Sequence, residues 1–172
     1  MKGFRRRKDG SVSAVFEREE VLIVLRLAEE NAAMADSARS SAERSTDPAL
    51  IRLLPDAYPD DQEASAEFRR YTAEGLARRK ADNARLLIES LSHPSTGSVE
   101  VRLDDAGAAA WLRALTDMRL VLGARLGIVH DGDDGDIHDH ESAMLRAVFD
   151  WLAFVQETLV LALTPRSGWK RS

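Results

Sequence analysis

The sequence contains no cysteine in its 172 residues. Disulfide scaffolds, thiolate metal sites and cysteine nucleophiles are therefore excluded from it. Aromatic residues make up only 6% of the chain, but apolar residues (44%) and charged residues (31%) occur in the proportions of an ordinary folded domain. A chain of this length buries on folding about 70% of the surface that its unfolded form exposes. It can therefore form a stable core without disulfide bonds or a structural metal.

The sequence also lacks a long uncharged apolar run. The longest candidate, residues 143–163, contains Arg146, Asp150 and Glu157. Each charge of this kind near the centre of a bilayer costs about 2.5–3.5 kcal/mol. The basic start of the chain is not followed by the apolar stretch of a signal peptide. We therefore expect a soluble, cytoplasmic protein that does not associate with a membrane.

Charge is unevenly distributed along the chain. The net charge of −5 argues against a protein that coats nucleic acid with its whole surface. Residues 1–8 carry five basic side chains and no acid, so the remaining residues together carry −10. The segment 130–141 alone supplies six acidic residues. The sequence predicts a bipolar surface.

Asp9-Gly10 predicts a β-hairpin at the basic end, since a type I′ turn needs positive φ at both central residues. A two-residue turn would place Arg5 opposite Ala14, and Phe4 and Phe16 on opposite faces. Neither face is then fully apolar, which favours an exposed position at the edge of the domain. Whichever face is buried, an isolated hairpin is only marginally stable in water.

A third strand and several helices account for the rest of the chain. Alternating apolar residues over 98–103 predict a strand that completes a three-stranded sheet with the hairpin. Periodicity and capping signals predict helices at about 17–42, 48–54, 60–91, 105–126 and 140–164. We expect a mainly α, α+β fold, with four long helices, one short helix and a small antiparallel sheet. Residues 1–164 form one domain in this interpretation, and residues 165–172 form a flexible tail.

The last predicted helix is apolar on nearly every side. Such a helix is expected to be surrounded by others, so we place it in the middle of the bundle. A homodimer interface is the alternative explanation of the same pattern. The protein is therefore expected to be a monomer or a homodimer.

The acidic segment is the only candidate metal site. His130, His138 and His140 with the intervening acids are residue types that bind divalent metals. The spacing fails the EF-hand pattern, because Ser142 replaces the final bidentate glutamate. A solvated acidic linker is the favoured interpretation, with no metal or other cofactor. No nucleophile elbow or phosphate-binding loop is present, so no catalytic residue is assigned, and a metal-dependent enzyme is the third choice of function.

The basic cluster Arg5, Arg6 and Arg7 is the main functional candidate. Such a hairpin can contact phosphate groups, but charges on an edge strand also prevent aggregation between sheets. Arg113 and Asp117 stand four residues apart and predict an ordinary surface ion pair on a helix.

Three segments resemble an actinobacterial family of domains of unknown function, whose genes commonly lie beside that of the ClpS adaptor of the Clp protease. They are residues 1–7, 47–70 and 111–127. Thr116 departs from the Asn that is usual in the family. The resemblance implies a connection with regulated proteolysis, and some relatives carry the label of transcriptional regulator.

Several polar residues match the family pattern and are the further candidates for an interaction site. They are Tyr58, Arg69, Arg70, Asp117 and Arg119. A structural role, in which Tyr58 and Arg119 fix the turn at 55–61 onto the bundle, is the alternative. We expect a non-enzymatic regulatory module that binds a protein partner, with Clp components suggested by the resemblance alone. A nucleic-acid-binding regulator that uses the basic hairpin is the alternative function.

Overall fold

The computed structural model describes residues 1–40, 46–55, 74–91, 97–130 and 132–164. These residues form five helices and three strands: β1 (Lys2–Arg6), β2 (Val12–Phe16), α1 (Arg18–Ser40), α2 (Pro48–Leu53), α3 (Glu74–Leu91), β3 (Val99–Leu103), α4 (Asp105–Arg125) and α5 (His140–Leu163). The predicted α+β class, with four long helices, one short helix and a small antiparallel sheet, is confirmed. The predicted start of the third helix near residue 60 and the tail 165–172 lie outside the described residues.

The three strands form one antiparallel sheet in the order β1-β2-β3. Val12 pairs with Leu103 and Phe16 pairs with Val99, so the predicted third strand is confirmed. The central strand is β2, and the hairpin therefore forms two thirds of the sheet and is not a separate ribbon.

The predicted two-residue turn is wrong by one residue. Arg5 lies opposite Ser13, and the backbone N–H of Arg7 donates to the carbonyl of Ser11 over 2.7 Å. The loop thus has three residues, 8–10, and Gly10 occupies the left-handed position with φ of 90°. Glycine in that position suits a three-residue loop as well as a type I′ turn, so the Asp-Gly pair alone does not fix the register.

The corrected register decides which face of the sheet is buried. Phe4 now lies on the inner face with Phe16, where both rings pack edge-on or tilted against Trp111 of α4, at centroid distances of 5.5 and 5.6 Å. The inner residues of β2 and β3 join the same core as α1, α3, α4 and α5. Burial of each such large side chain stabilises the fold by about 1.5–3 kcal/mol.

Local capping signals correctly mark several helix ends. The side chain of Asp47 accepts a hydrogen bond from the Ala49 N–H, and Asp104 accepts one from Gly107. Gly127 follows the end of α4 with φ of 68°, as its predicted role as a C-terminal stop requires. No helix in the described ranges has both the length and the apolarity needed to cross a membrane.

The predicted central position of the last helix is wrong. Helix α5 packs on one side only, against α4, β1 and β2, and its buried residues form one stripe of Leu152, Val155, Leu159 and Ala162. Its opposite side faces solvent, with Leu161 65% exposed. The central helix is α4. It contacts the other four described helices and the sheet, and it has buried residues on most of its sides.

Candidate interaction surface

The basic cluster of the hairpin is divided among three environments. Arg6 donates from Nη1 to the Leu163 carbonyl at the end of α5 over 3.1 Å. Arg7 donates from Nε to Ser13 Oγ over 2.7 Å and forms an ion pair with Glu100 of β3. Arg5 is exposed and makes no hydrogen bond or ion pair with any described residue. The three arginines therefore do not form one free patch.

Arginine side chains extend across the outer face of the sheet. Arg5, Ser13 and Arg102 occupy one cross-strand row, because Ser13 pairs with Arg5 on one side and with Arg102 on the other. Neighbouring strands are about 4.8 Å apart, so the two arginine backbones are separated by about 10 Å. Arg102 forms an ion pair with Asp9 of the hairpin loop. This row of Arg5, Ser13 and Arg102 is the cationic row of the sheet.

The carboxylate of Asp9 is held tightly by its neighbours. It accepts hydrogen bonds from the Ser11 hydroxyl over 2.7 Å and from the Ser11 N–H over 3.1 Å, besides pairing with Arg102. The Ser11 hydrogen bonds, together with Arg102, lower the pKa of Asp9 to about 2. Its negative charge therefore fixes Arg102 and the loop, and leaves Arg5, Lys2 and Lys8 as the exposed cations of the hairpin without a described partner.

The outer edge of β3 offers unpaired backbone groups. The strand pairs with β2 on one side, and on the other side it makes no backbone hydrogen bond within the described ranges. A groove of about 420 Å³ lies at the C-terminal end of β3, between α3 and the start of α4. Its lining includes Leu86, Ser90, Arg102, Leu103, Gly107 and Trp111. Leu86 is 51% exposed there, so the groove offers an apolar wall beside a free strand edge.

Asp117 lies inside the protein, and the predicted surface pair with Arg113 is wrong. It is 5% exposed and forms an ion pair with Lys80 of α3. Burial raises the pKa of Asp117, and the hydrogen bond from Lys80 opposes that rise. Asn31 of α1 lines the same small space, which has no room for a water molecule. Its Nδ2 atom has no hydrogen-bond partner among the described residues. The Lys80–Asp117 pair thus joins α3 to α4, and the role of Asp117 in an interaction stays a prediction.

Arg119 joins α4 to α5 from the other side. Its Nη1 donates to Gln156 Oε1 over 3.0 Å, and its guanidinium lies 4.9 Å from the centre of the Phe149 ring. Gln156 in turn donates from Nε2 to Thr116 Oγ1 over 2.8 Å. Thr116, the departure from the family pattern, is therefore part of this helix-to-helix network. The contacts of Arg119 are intramolecular, and its predicted interaction role is untested.

The remaining family-matching candidates fall outside the part of the chain that the structure describes. Tyr58, Arg69 and Arg70 belong to residues 56–73, so the proposed contact between Tyr58 and Arg119 stays a prediction. Lys80, Glu100 and Arg102 were not among the sequence candidates. Lys80 and Glu100 hold the candidates Asp117 and Arg7 through ion pairs between distant segments, and no local sequence pattern reports such pairs. Arg102 holds the hairpin loop through Asp9 in the same way.

The acidic segment folds back on the end of α4. The Asp136 N–H donates to the Leu126 carbonyl over 2.7 Å, and Arg146 donates to the Asp134 carbonyl over 2.6 Å. Hydrogen bonds from the N–H groups of Val129 and Gly135 lower the pKa of Asp133. Within the described residues, which exclude residue 131, no three His, Asp or Glu side chains are grouped to hold a metal ion.

The fold and surface define a small α+β domain, in which a helical bundle supports a three-stranded sheet with a charged outer face. The chain belongs to the family described as "Domain of unknown function (DUF2017)", whose model matches residues 1–163. This match confirms the prediction that the chain belongs to a family of domains of unknown function. The relatives described next come from mycobacteria, which are actinobacteria, as the resemblance implied.

Two mycobacterial proteins named AosR are similar to this chain. The relative in Mycobacterium leprae is 35% identical over 136 residues, which cover 72% of this chain and 61% of that protein. The relative in Mycobacterium tuberculosis, named an oxidative stress regulator, is 33% identical over 135 residues, covering 71% and 61%. The chain thus spans less than two thirds of the length of these curated relatives. No solved structure matches the chain.

Proposed function

We propose that this chain is a non-enzymatic regulatory domain that binds an acidic, extended protein segment on the outer side of its sheet. The observation that carries the proposal is the cationic row, in which Arg5 is exposed and unpaired two strands away from the free edge of β3. An acidic segment added beside β3 would use unpaired backbone groups for affinity. Arg5, the unpaired cation of the row, would then select for a negative side chain, since Arg102 is already paired with Asp9.

The groove at the end of β3 supports the same binding mode. It is bordered by Leu86 and Trp111, and its volume of about 420 Å³ is enough for a large apolar side chain. In strand addition, the backbone gives affinity and pockets for alternate side chains give specificity. The preferred segment is therefore acidic, with one apolar residue near the end that meets α4.

Nucleic acid is the weaker choice of partner on this surface. Only Lys2, Arg5 and Lys8 are exposed cations without a partner in the described part of the hairpin. Three phosphate contacts give a log–log salt slope of about −2.7, whereas specific DNA-binding proteins commonly make 6–10 such contacts. The net charge of −5 further opposes association with a polyanion.

The similarity to oxidative stress regulators supports a regulatory role and restricts how it works. The 172 residues of this chain include no cysteine, so oxidation of a thiol within them cannot be the signal that the domain detects. The domain would instead respond through the partner that it binds. The family resemblance makes components of the Clp system the first partners to test.

A pull-down from nuclease-treated native lysate tests the proposal, with the double variant R5E/K8E and the control R78E. Arg78 is an exposed arginine on α3 with no described partner, so R78E makes a charge reversal away from the sheet. We expect the wild type and R78E to retain the same protein, and R5E/K8E to lose it.

Three further results decide between the candidate functions. Addition of the retained protein should shift the backbone amide signals of β3 in a nuclear magnetic resonance titration. Equal retention by all three proteins would contradict the surface assignment. Retention of nucleic acid alone, from lysate without nuclease, would favour the DNA-binding alternative.

A further inference from the structure

Helix α5 presents to solvent a face on which apolar residues alternate with two acids. The face consists of residues spaced three or four apart: Ala143, Ala147, Asp150, Phe154, Glu157 and Leu161. Phe154 is 46% exposed and Leu161 is 65% exposed. Single exposed apolar residues are normal, whereas several on one side of one helix indicate an interaction site.

The two ends of this face carry opposite charge. Asp134, Asp139 and Glu141 lie at the N-terminal end of α5. At the other end, Arg6 binds the Leu163 carbonyl, because β1 runs alongside α5 in the same direction. The 24-residue helix is about 36 Å long, so the acidic and basic ends are well separated.

We propose that this face is the contact surface for a second copy of the chain, with the two α5 helices packed antiparallel around a two-fold axis. Antiparallel packing places the acidic end of each copy against the basic end of the other. Parallel packing would place acidic ends together, which is electrostatically unfavourable. The surface is separate from the outer face of the sheet, so the proposal does not depend on the proposed function.

The residues of the face complement one another in this arrangement. With the axis near the middle of α5, Ala143 of one copy lies opposite Leu161 of the other, so a small residue meets a large one. Asp150 lies beside Phe154, and it is already paired with Arg146 of its own helix over 3.0 Å. Such alternation of small and large side chains allows two helices to approach closely.

The same arrangement supplies a partner for Glu157. This carboxylate is exposed and makes no hydrogen bond or ion pair with the residues that the structure describes. In the antiparallel pair it lies next to Arg146 of the other copy, whose side chain is one quarter exposed. Two symmetry-related Arg146–Glu157 pairs would flank the two Phe154 side chains and fix the register of the helices.

The absence of cysteine allows a direct test by cross-linking. We would make A143C and L161C and treat each variant, and their equimolar mixture, with a short bismaleimide. Residues 143 and 161 are separated by about 27 Å along one helix. We expect covalent dimers in the mixture and almost none in either variant alone. Dimers formed by A143C alone would indicate parallel packing and overturn the proposal, as would no dimer in any sample.

Sedimentation of the uncross-linked protein provides the second test, since a weak homodimer changes its state with protein concentration. Wild-type protein should shift from monomer towards dimer as its concentration increases, and F154E should remain a monomer. The control is L22E, at a 57% exposed leucine of α1, and it should behave as the wild type does. Circular dichroism checks that both variants fold. A wild-type monomer at all concentrations, or equal dimerisation of F154E, would overturn the proposal.

Discussion

Lys80 of α3 donates a hydrogen bond to the carboxylate of Asp117 of α4, at a point where the two helices enclose the side chain of Asn31 from α1. The carboxylate is 8% exposed and the lysine side chain 18% exposed. Removing two charges from water is costly, and their mutual attraction roughly offsets this cost only while both are present. The pair therefore makes the junction of three helices sensitive to the loss of either partner.

We expect D117A to lower the free energy of unfolding by about 3 kcal/mol, because it leaves the ammonium of Lys80 without its counter-ion in a nearly closed space. Urea denaturation at neutral pH measures the change. The double variant K80M/D117L is the control, since it replaces the pair by apolar groups and should recover most of the loss. If the double variant is as unstable as D117A, packing and not charge explains the effect.

The same pair predicts how stability changes with pH. Burial raises the pKa of Asp117 above its ordinary value of 3.8, so the folded protein binds a proton there more tightly than the unfolded chain does. The resulting stabilisation is fully present below pH 3.8 and is lost as the pH rises through the folded-state pKa. D117N should lack this component. Denaturation of both proteins in steps from about pH 3 to pH 7 measures the difference, which should be absent if Asp117 has an ordinary pKa.

The hairpin loop provides a prediction that nuclear magnetic resonance can check directly. The pKa of Asp9 should be about 2, because the Ser11 hydroxyl and N–H and the Arg102 guanidinium stabilise its charged form. S11A should raise this pKa towards 3.8, and R85A, a change on α3 away from the loop, should leave it unaltered. An unchanged pKa in S11A would mean that Ser11 does not hold the carboxylate.

Two leucines of α5 should respond differently to truncation. Leu159 is fully buried, so L159A should cost about 2–5 kcal/mol at any protein concentration. L161A removes a 65% exposed side chain and should change the stability of the dilute monomer by less than about 0.5 kcal/mol. Thermal unfolding at low protein concentration gives both values. Equal losses would contradict the one-sided packing of α5.

The histidines of the acidic segment should be dispensable. His138 and His140 are exposed on either side of Asp139, which caps α5 through the Ser142 N–H over 2.8 Å. We expect H138A/H140A to leave the melting temperature unaltered, because this cap does not use the imidazoles. The metal content of both proteins, measured by mass spectrometry, should also be the same. A stoichiometric metal that is present in the wild type and missing from the variant would disprove the linker interpretation.

Features that depend on neighbouring residues were predictable from the sequence. Asp47, Asp104 and Gly127 mark helix ends because caps act within a few residues. The partner of Asp117 was not predictable, since Lys80 is 37 residues away and a closer basic residue, Arg113, has ideal helical spacing. The hairpin register failed for a related reason: one Asp-Gly pair fits two loop lengths.

The position of α5 shows a different limit of sequence analysis. Apolar residues on nearly every side of a helix predict that it is covered, but they do not show by what. The bundle surrounds α4 instead, and α5 has one covered side. The candidate surface was likewise only partly predictable from the sequence. The sequence singled out Arg5, but it did not show that β3 lies at the edge of the sheet, because the strand order is needed for that.

The pairing of distant segments in the sheet affects how the chain is able to fold during synthesis. Phe4 of β1 donates its N–H to Thr158 of α5, 154 residues later in the chain. Strand β2 cannot pair with β3 until the 82 residues between them have been synthesised. The apolar face of the hairpin is thus made early and covered late. Contacts of such long range slow folding, and an uncovered strand edge is prone to aggregate in the meantime. The basic residues of the hairpin repel one another between nascent chains, and so protect the growing polypeptide before they serve the folded one.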